Sequence, residues 1–246
     1  TLASIIDKIN TEQRVHIMTI EDPIEYVHSQ KLSVVNQREV GRDTNSLQIA
    51  LKNALRQAPD CILIGEIRDR ETMTAGISYS LSGHLVLATM HANNSYHALG
   101  RILSFYTPEA RPALLSDLAS GLRAIVCQRL VRATAGGRRP TAEVMINTKL
   151  VSELIEQGDI PGVKEAMEKS LAEGTQNFEA DRARRITQGT LTREEGLAYA
   201  DSPTNLMWRL QNDMSPVSRI APKKEETDDQ PVFTDIVLDV RPDDAS

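Results

Sequence analysis

The chain has 246 residues, with 28 Lys and Arg against 34 Asp and Glu, a net charge of −6. That balance argues against a nucleic-acid partner, which needs a basic face, and no apolar run approaches the ~18 residues of a membrane span. Forty per cent of the residues are apolar but only 4% aromatic, so aliphatic side chains and Ala must build the core. Cys61 and Cys127 stand alone with no CxxC spacing. This argues against a zinc site and points to a reducing, cytoplasmic compartment.

In chain order, residues 2 to 9 read as a helix and Val15 to Ile20 as a buried strand ended by Pro23. Residues 32 to 40 read as extended, in a hairpin with the stretch around Tyr26 to His28. A helix over 45 to 57 keeps Leu47, Leu51, Ala54 and Leu55 on one face, with Asp43, Thr44 and Ser46 as possible N-caps. Cys61 to Ile64 is a short apolar strand. Residues 70 to 82 read as a helix stopped by Gly83, and Leu85 to Met90 as a further strand. Asn94 or Ser95 caps a helix carrying Ala98, Leu99, Ile102, Leu103 and Tyr106, and Pro108 opens another that runs to about Gly121. Gly136-Gly137 marks a hairpin between 125–131 and 141–146, expected as the antiparallel edge of the sheet. Strands alternating with helices predict a largely parallel α/β sheet over 1–148. From Lys149 the strand-like runs vanish, which predicts a helical subdomain over 149–213. The tail, 214–246, is expected to be mostly disordered, since residues 215 to 246 hold 4 basic and 8 acidic side chains. Within it Val232 to Val240 alternates apolar and acidic residues.

Three strand ends carry chemistry-bearing residues. Glu21, Asp22 and Glu25 crowd the end of the first strand, and carboxylates so close need a donor or cation to settle them. Glu66 ends the run Cys-Ile-Leu-Ile-Gly, where a buried strand meets the ligand edge of a doubly wound sheet. A carboxylate there can hold a magnesium-bound water. Arg68 and Asp69 follow, and both an ion pair between them and a phosphate contact by Arg68 are open. His84 and His91 bracket the next strand. His91 falls at its carboxyl end, where an imidazole can hydrogen-bond a phosphate, and His84 at its start. Arg38, Arg42 and Arg56 are further candidate phosphate ligands. Residues 1–246 contain no Gly-x-x-x-x-Gly-Lys-Ser/Thr run. Thr1 to Ser4 reads as a helix already under way, so the sequence is expected to start just after such a loop.

The order of the boxes TIEDPIEY (19–26), CILIGEIRD (61–69) and GHLVLATMHA (83–92) resembles the secretion-ATPase superfamily. In particular it resembles the PilT/PilU retraction ATPases of type IV pili. VNQREVGRDT and ALRQAPD also fit, and the resemblance covers residues 1 to about 147. It implies a RecA-like P-loop NTPase core, lacking its P-loop here, that works with ATP and Mg2+. Glu25 then falls on the catalytic carboxylate of the aspartate box and Glu66 on the Walker B Glu, with Mg2+ held through water. His84 and His91 fall on the histidine-box positions that face nucleotide. The implied assembly is a homohexamer on the cytoplasmic face of the inner membrane. Its expected partners are a paralogous PilT-like ATPase and a pilus platform protein. Departures are Gly65, where many P-loop enzymes carry Asp, and Ser152 in LVSELI (150–155), where the family's retraction motif carries Arg. YADSPTNL (199–206) resembles the PilU branch. Two other readings stay open. One is a non-catalytic coupling subunit of a PilT-like motor. The other is an extension or type II secretion ATPase, which typically carries a four-cysteine loop.

Overall fold

The computed structural model describes residues 1–169 and 174–212. The acidic tail and its apolar island, Val232 to Val240, lie outside the described residues. Helix α1 (Leu2–Glu12) precedes β1 (His16–Glu21) and β2 (Val34–Glu39). Helix α2 (Leu47–Ala54) runs on as a 3-10 turn over Leu55–Gln57 and leads to β3 (Cys61–Ile64). Then come α3 (Arg70–Leu81), β4 (Leu85–Ala88) and α4 (Ser95–Ser104). A 3-10 turn over Pro108–Ala110 opens α5 (Arg111–Gly121). After it follow β5 (Ala124–Arg132), β6 (Arg138–Ile146), α6 (Lys149–Gln157) and α7 (Ile160–Lys169). Helices α8 (Phe178–Thr187), α9 (Arg193–Ala198) and α10 (Pro203–Asn212) close the described chain.

β1 to β4 form a parallel sheet in the order β2-β1-β3-β4, the expected α/β architecture. Parallel strands buried on both faces read as continuous apolar runs, as Cys61 to Ile64 does and Ile17 to Ile20 does apart from Thr19. Because side chains alternate along a strand, Met18, Ile20, Ile62 and Ile64 face one way, into the larger core with α2 and α3. Ile17, Cys61, Leu63 and Val35 face the other way, onto Ile6 of α1. Val151, Ile155, Val163, Ala166 and Met167 of α6 and α7 enter the larger core too. Ser152 donates from Oγ to the Ala119 carbonyl at 2.9 Å, so it ties α6 to α5.

Two expectations are corrected. Residues 32–40 do not form a hairpin with 26–28. β2 lies parallel to β1 in the register His16↔Val34 to Glu21↔Glu39. The side chain of Gln37 mimics a hairpin partner, since it accepts from His28 N–H at 2.8 Å and donates to the Tyr26 carbonyl at 2.8 Å. The Gly136-Gly137 hairpin forms as expected, but as a two-stranded sheet of its own. Its buried side chains, Cys127 and Val131 on β5 with Thr141, Glu143 and Met145 on β6, turn it toward α4 and α8 rather than onto β4.

Candidate active site

All four parallel strands point their carboxyl ends at one edge, and the loops that leave that edge carry the chemistry. β1 ends at Glu21, which is 9% exposed. Its carboxylate accepts from Thr19 Oγ1 at 2.6 Å and from Gln37 Nε2 at 3.3 Å, and Glu25 N–H lies 3.4 Å from its second oxygen. Neutral donors on β1 and β2 thus satisfy Glu21, while Asp22 faces solvent. Glu25 stands exposed at the turn.

β3 delivers Glu66 to the same edge. Gly65 N–H donates to the Ile20 carbonyl at 2.8 Å and so stitches the end of β3 to β1. Arg68 binds one Glu66 oxygen through Nε at 2.7 Å and Nη2 at 2.6 Å. His91 Nε2 stands 3.1 Å from the other. The pair of Arg68 with Asp69, one of the two readings open for Arg68, does not form. Asp69 instead caps α3, accepting from Thr72 N–H at 2.8 Å. The hydrogen bonds from Arg68 hold the Glu66 carboxyl below the usual carboxylate range, with the charges of His91 and Arg101 adding to the effect. The Gly65–Ile20 hydrogen bond places the turn after β1 beside the Glu66 loop.

His91 follows β4 by three residues and is 83% exposed at its side chain. It opens a groove of about 590 Å³ lined also by Asn93, His97, Arg101 and Ser104. His97 and Arg101 were not singled out in the sequence. They sit four apart on α4, which places them on one helix face, and that spacing was the available signal. Asn94 caps α4 by accepting from His97 N–H at 2.9 Å. The buried Glu143 of β6 accepts from Ser95 N–H and Oγ at 2.7 and 2.8 Å, so the start of α4 is pinned to the ribbon.

The structure does not bring every candidate to this edge. His84 precedes β4, with Nδ1 donating to the Tyr79 carbonyl at 3.1 Å, at the opposite edge. Arg56 lies in the 3-10 turn before β3, also at that opposite edge. Arg38 lies toward the end of β2 and Arg42 in the turn after it, on the Glu66 side.

The donor set suits magnesium and phosphate. Mg2+ takes oxygen ligands, keeps several waters and leans on one or two carboxylates plus substrate phosphates. Glu66 supplies such a carboxylate. Among the described residues no cluster of three or more metal-binding side chains occurs, so any Mg2+ here would depend on water and phosphate. His91, His97 and Arg101 line the groove with nitrogen donors of the kind a polyphosphate needs. No described helix is long and apolar enough to cross a membrane.

Comparison with known proteins follows the same geometry. A model of the type II/IV secretion system protein family matches residues 1–199. The chain is 46% identical over 207 residues to the type IV pilus ATPase PilU of Pseudomonas aeruginosa, covering 84% of this chain and 54% of that protein. It is 35% identical over 205 residues to the type IV pilus retractation ATPase PilT of the same organism, covering 83% of this chain and 60% of that one. Among solved structures, that of the pilus retraction motor PilT with bound ADP superposes with a TM-score of 0.78. That match has 36% identity and covers 85% of this chain and 59% of that one. The chain thus spans between half and two thirds of the length of these three relatives.

Proposed function

This chain belongs to the type II/IV secretion system protein family, and we propose that it is the nucleotide-hydrolysing part of a motor that retracts type IV pili. The observation that carries the reading is the joining of Glu66, Arg68 and His91 at the sheet edge onto which the Glu25 turn also opens. Relatives described as pilus ATPases and a retraction motor with bound ADP support it. In our reading the phosphate loop comes from a segment outside residues 1–246, since no Gly-Lys-Ser/Thr occurs within them.

Mg2+·ATP, when bound, supplies the transferable phosphoryl group and neutralises its developing charge. The exposed Glu25 carboxylate orients the attacking water and accepts its proton. Glu66 would hold Mg2+ through water. His91, three residues past its strand, donates to the terminal phosphate. Arg68, now paired with Glu66, would turn its guanidinium to phosphate oxygens. Positioning and charge stabilisation do most of the work in such transfers. The assembly we propose is a homohexamer on the cytoplasmic face of the inner membrane, working with a PilT-like paralogue and a pilus platform protein.

A coupling role without hydrolysis is the second reading, favoured by Ser152, which holds α6 to α5 where the resemblance implies Arg. Steady-state ATP turnover by the longer protein, alone and with its paralogue, separates the two. Turnover alone supports the first reading, and turnover only in the paralogue's presence supports the second.

A further inference from the structure

One guanidinium joins three parts of the molecule. Arg129 lies on β5 with its side chain 23% exposed. Its Nη1 and Nη2 grip both oxygens of Asp201, at 2.6 and 2.9 Å, in the bidentate geometry that Arg alone supplies. Nη2 also donates to the Asn93 carbonyl at 2.9 Å. Asn93 is two residues past His91 and lines the same groove. The buried ring of Phe178, at the start of α8, lies 4.1 Å from the Arg129 guanidinium carbon and fixes its plane. Asp201 is itself held, because its N–H and that of Ser202 donate to Glu179 of α8 at 3.0 and 3.2 Å. The Asp201 segment therefore moves with α8, and α10 begins two residues later.

The geometry points to Arg129 as a positioning residue that clips the His91 loop to the C-terminal helices through Asp201, so that the loop's place against a bound phosphate and the place of α8–α10 change together. The inference rests on the proposed nucleotide site for its purpose. The clip itself stands on contacts that need no nucleotide. It gives Asp201, within the run YADSPTNL, a mechanical role: the far end of a three-part joint whose near end holds the groove. A rotation of the helices would pull on the carbonyl of Asn93, and a shift of His91 toward phosphate would be felt at α8.

The test uses Arg129→Lys, which keeps the charge but loses the fork, and Asp201→Asn, which keeps the shape on a 41% exposed side chain and should fold even if the first does not. In the 246-residue chain, amide exchange over residues 91–97 should rise in both variants, by roughly 3- to 30-fold. The double variant should add nothing further, and exchange in β1 and β3 should hold. In the longer protein the same variants should lower kcat for ATP while KM stays near its original value. Unchanged exchange over 91–97, an equal rise through β1 and β3, or additive effects of the two substitutions would overturn the clip. Failure of the unaltered longer protein to bind nucleotide would instead overturn the proposed site.

Discussion

Replacing Gly65 by Ala probes the seam on which the site is built. Gly65 follows β3 and precedes Glu66, and its N–H donates to Ile20 of β1 at 2.8 Å. A Cβ there would stand 3.1 Å from the Cα of Glu21 and 3.2 Å from the Ile20 carbonyl oxygen. Both are backbone atoms of a central strand, so no flexible side chain can swing aside. Ordinary contact starts near 3.4 Å, which means that the two strand ends must part by a few tenths of an ångström and stretch the hydrogen bond that joins them. Overpacking of this kind costs roughly 1–3 kcal/mol. At about 2–4 °C per kcal/mol for a chain of this size, the thermal midpoint should fall by several degrees. By the same close approach, Gly65→Asp should be worse than Gly65→Ala. Gly100→Ala is the control. Gly100 sits inside α4 with no atom within 4 Å of an added Cβ, and the change should stabilise by about 0.5–1 kcal/mol through lower backbone entropy in the unfolded chain. Circular dichroism melts of the 246-residue chain should move in opposite directions for the two variants. A Gly65→Ala midpoint at or above the original would refute the packing argument.

Other outcomes follow from buried groups. Asp181 is fully buried, accepts from Arg185 Nε at 2.8 Å and Ala142 N–H at 2.9 Å, and pairs with Arg184. Asp181→Asn should cost about 3 kcal/mol, the lower end for a broken buried pair, because Arg184 is half exposed. Burial alone would raise the Asp181 pKa, but the hydrogen bonds from Arg185, Ala142 and Arg184 outweigh it and leave it lowered. Its stabilisation is therefore present above the ordinary Asp value of about 3.9 and is lost as pH falls through the lower folded value. Denaturant titrations below pH 4 should show a steeper acid loss for the unaltered chain than for Asp181→Asn. Burial pushes the Cys61 thiol up to about 12 and the Cys127 thiol up to about 11, so both should resist a maleimide at neutral pH until the chain unfolds. Fast labelling of the native chain would contradict their placement.

Much of this architecture was legible in the sequence because it rests on short-range physics. Cys61–Ile64 is an unbroken apolar run and reads as a buried parallel strand, and Ser46 and Asn94 announce α2 and α4 as caps. What failed depends on distant pairing. Nothing near residue 34 says that β2 runs parallel to β1 across a twelve-residue connection rather than back along 26–28. Nor does the Gly136-Gly137 signal say which sheet its hairpin joins. At the site, position after a strand was enough to bring Glu25, Glu66 and His91 to one edge and to leave His84 at the other. The partners were not readable. Arg68 could have paired with Asp69 or Glu66, and the N-cap role of Asp69 decided it. Arg129 and Asp201 are 72 residues apart, and neither carries a local sign of the other.

The most direct test of the account is ATP turnover by the full-length protein carrying Glu25→Gln. The amide keeps the side chain's size and cannot take the water's proton. The account predicts that kcat falls by roughly 100-fold or more while ATP binding is retained. Turnover at the original rate would contradict it and move the catalytic role away from the turn after β1.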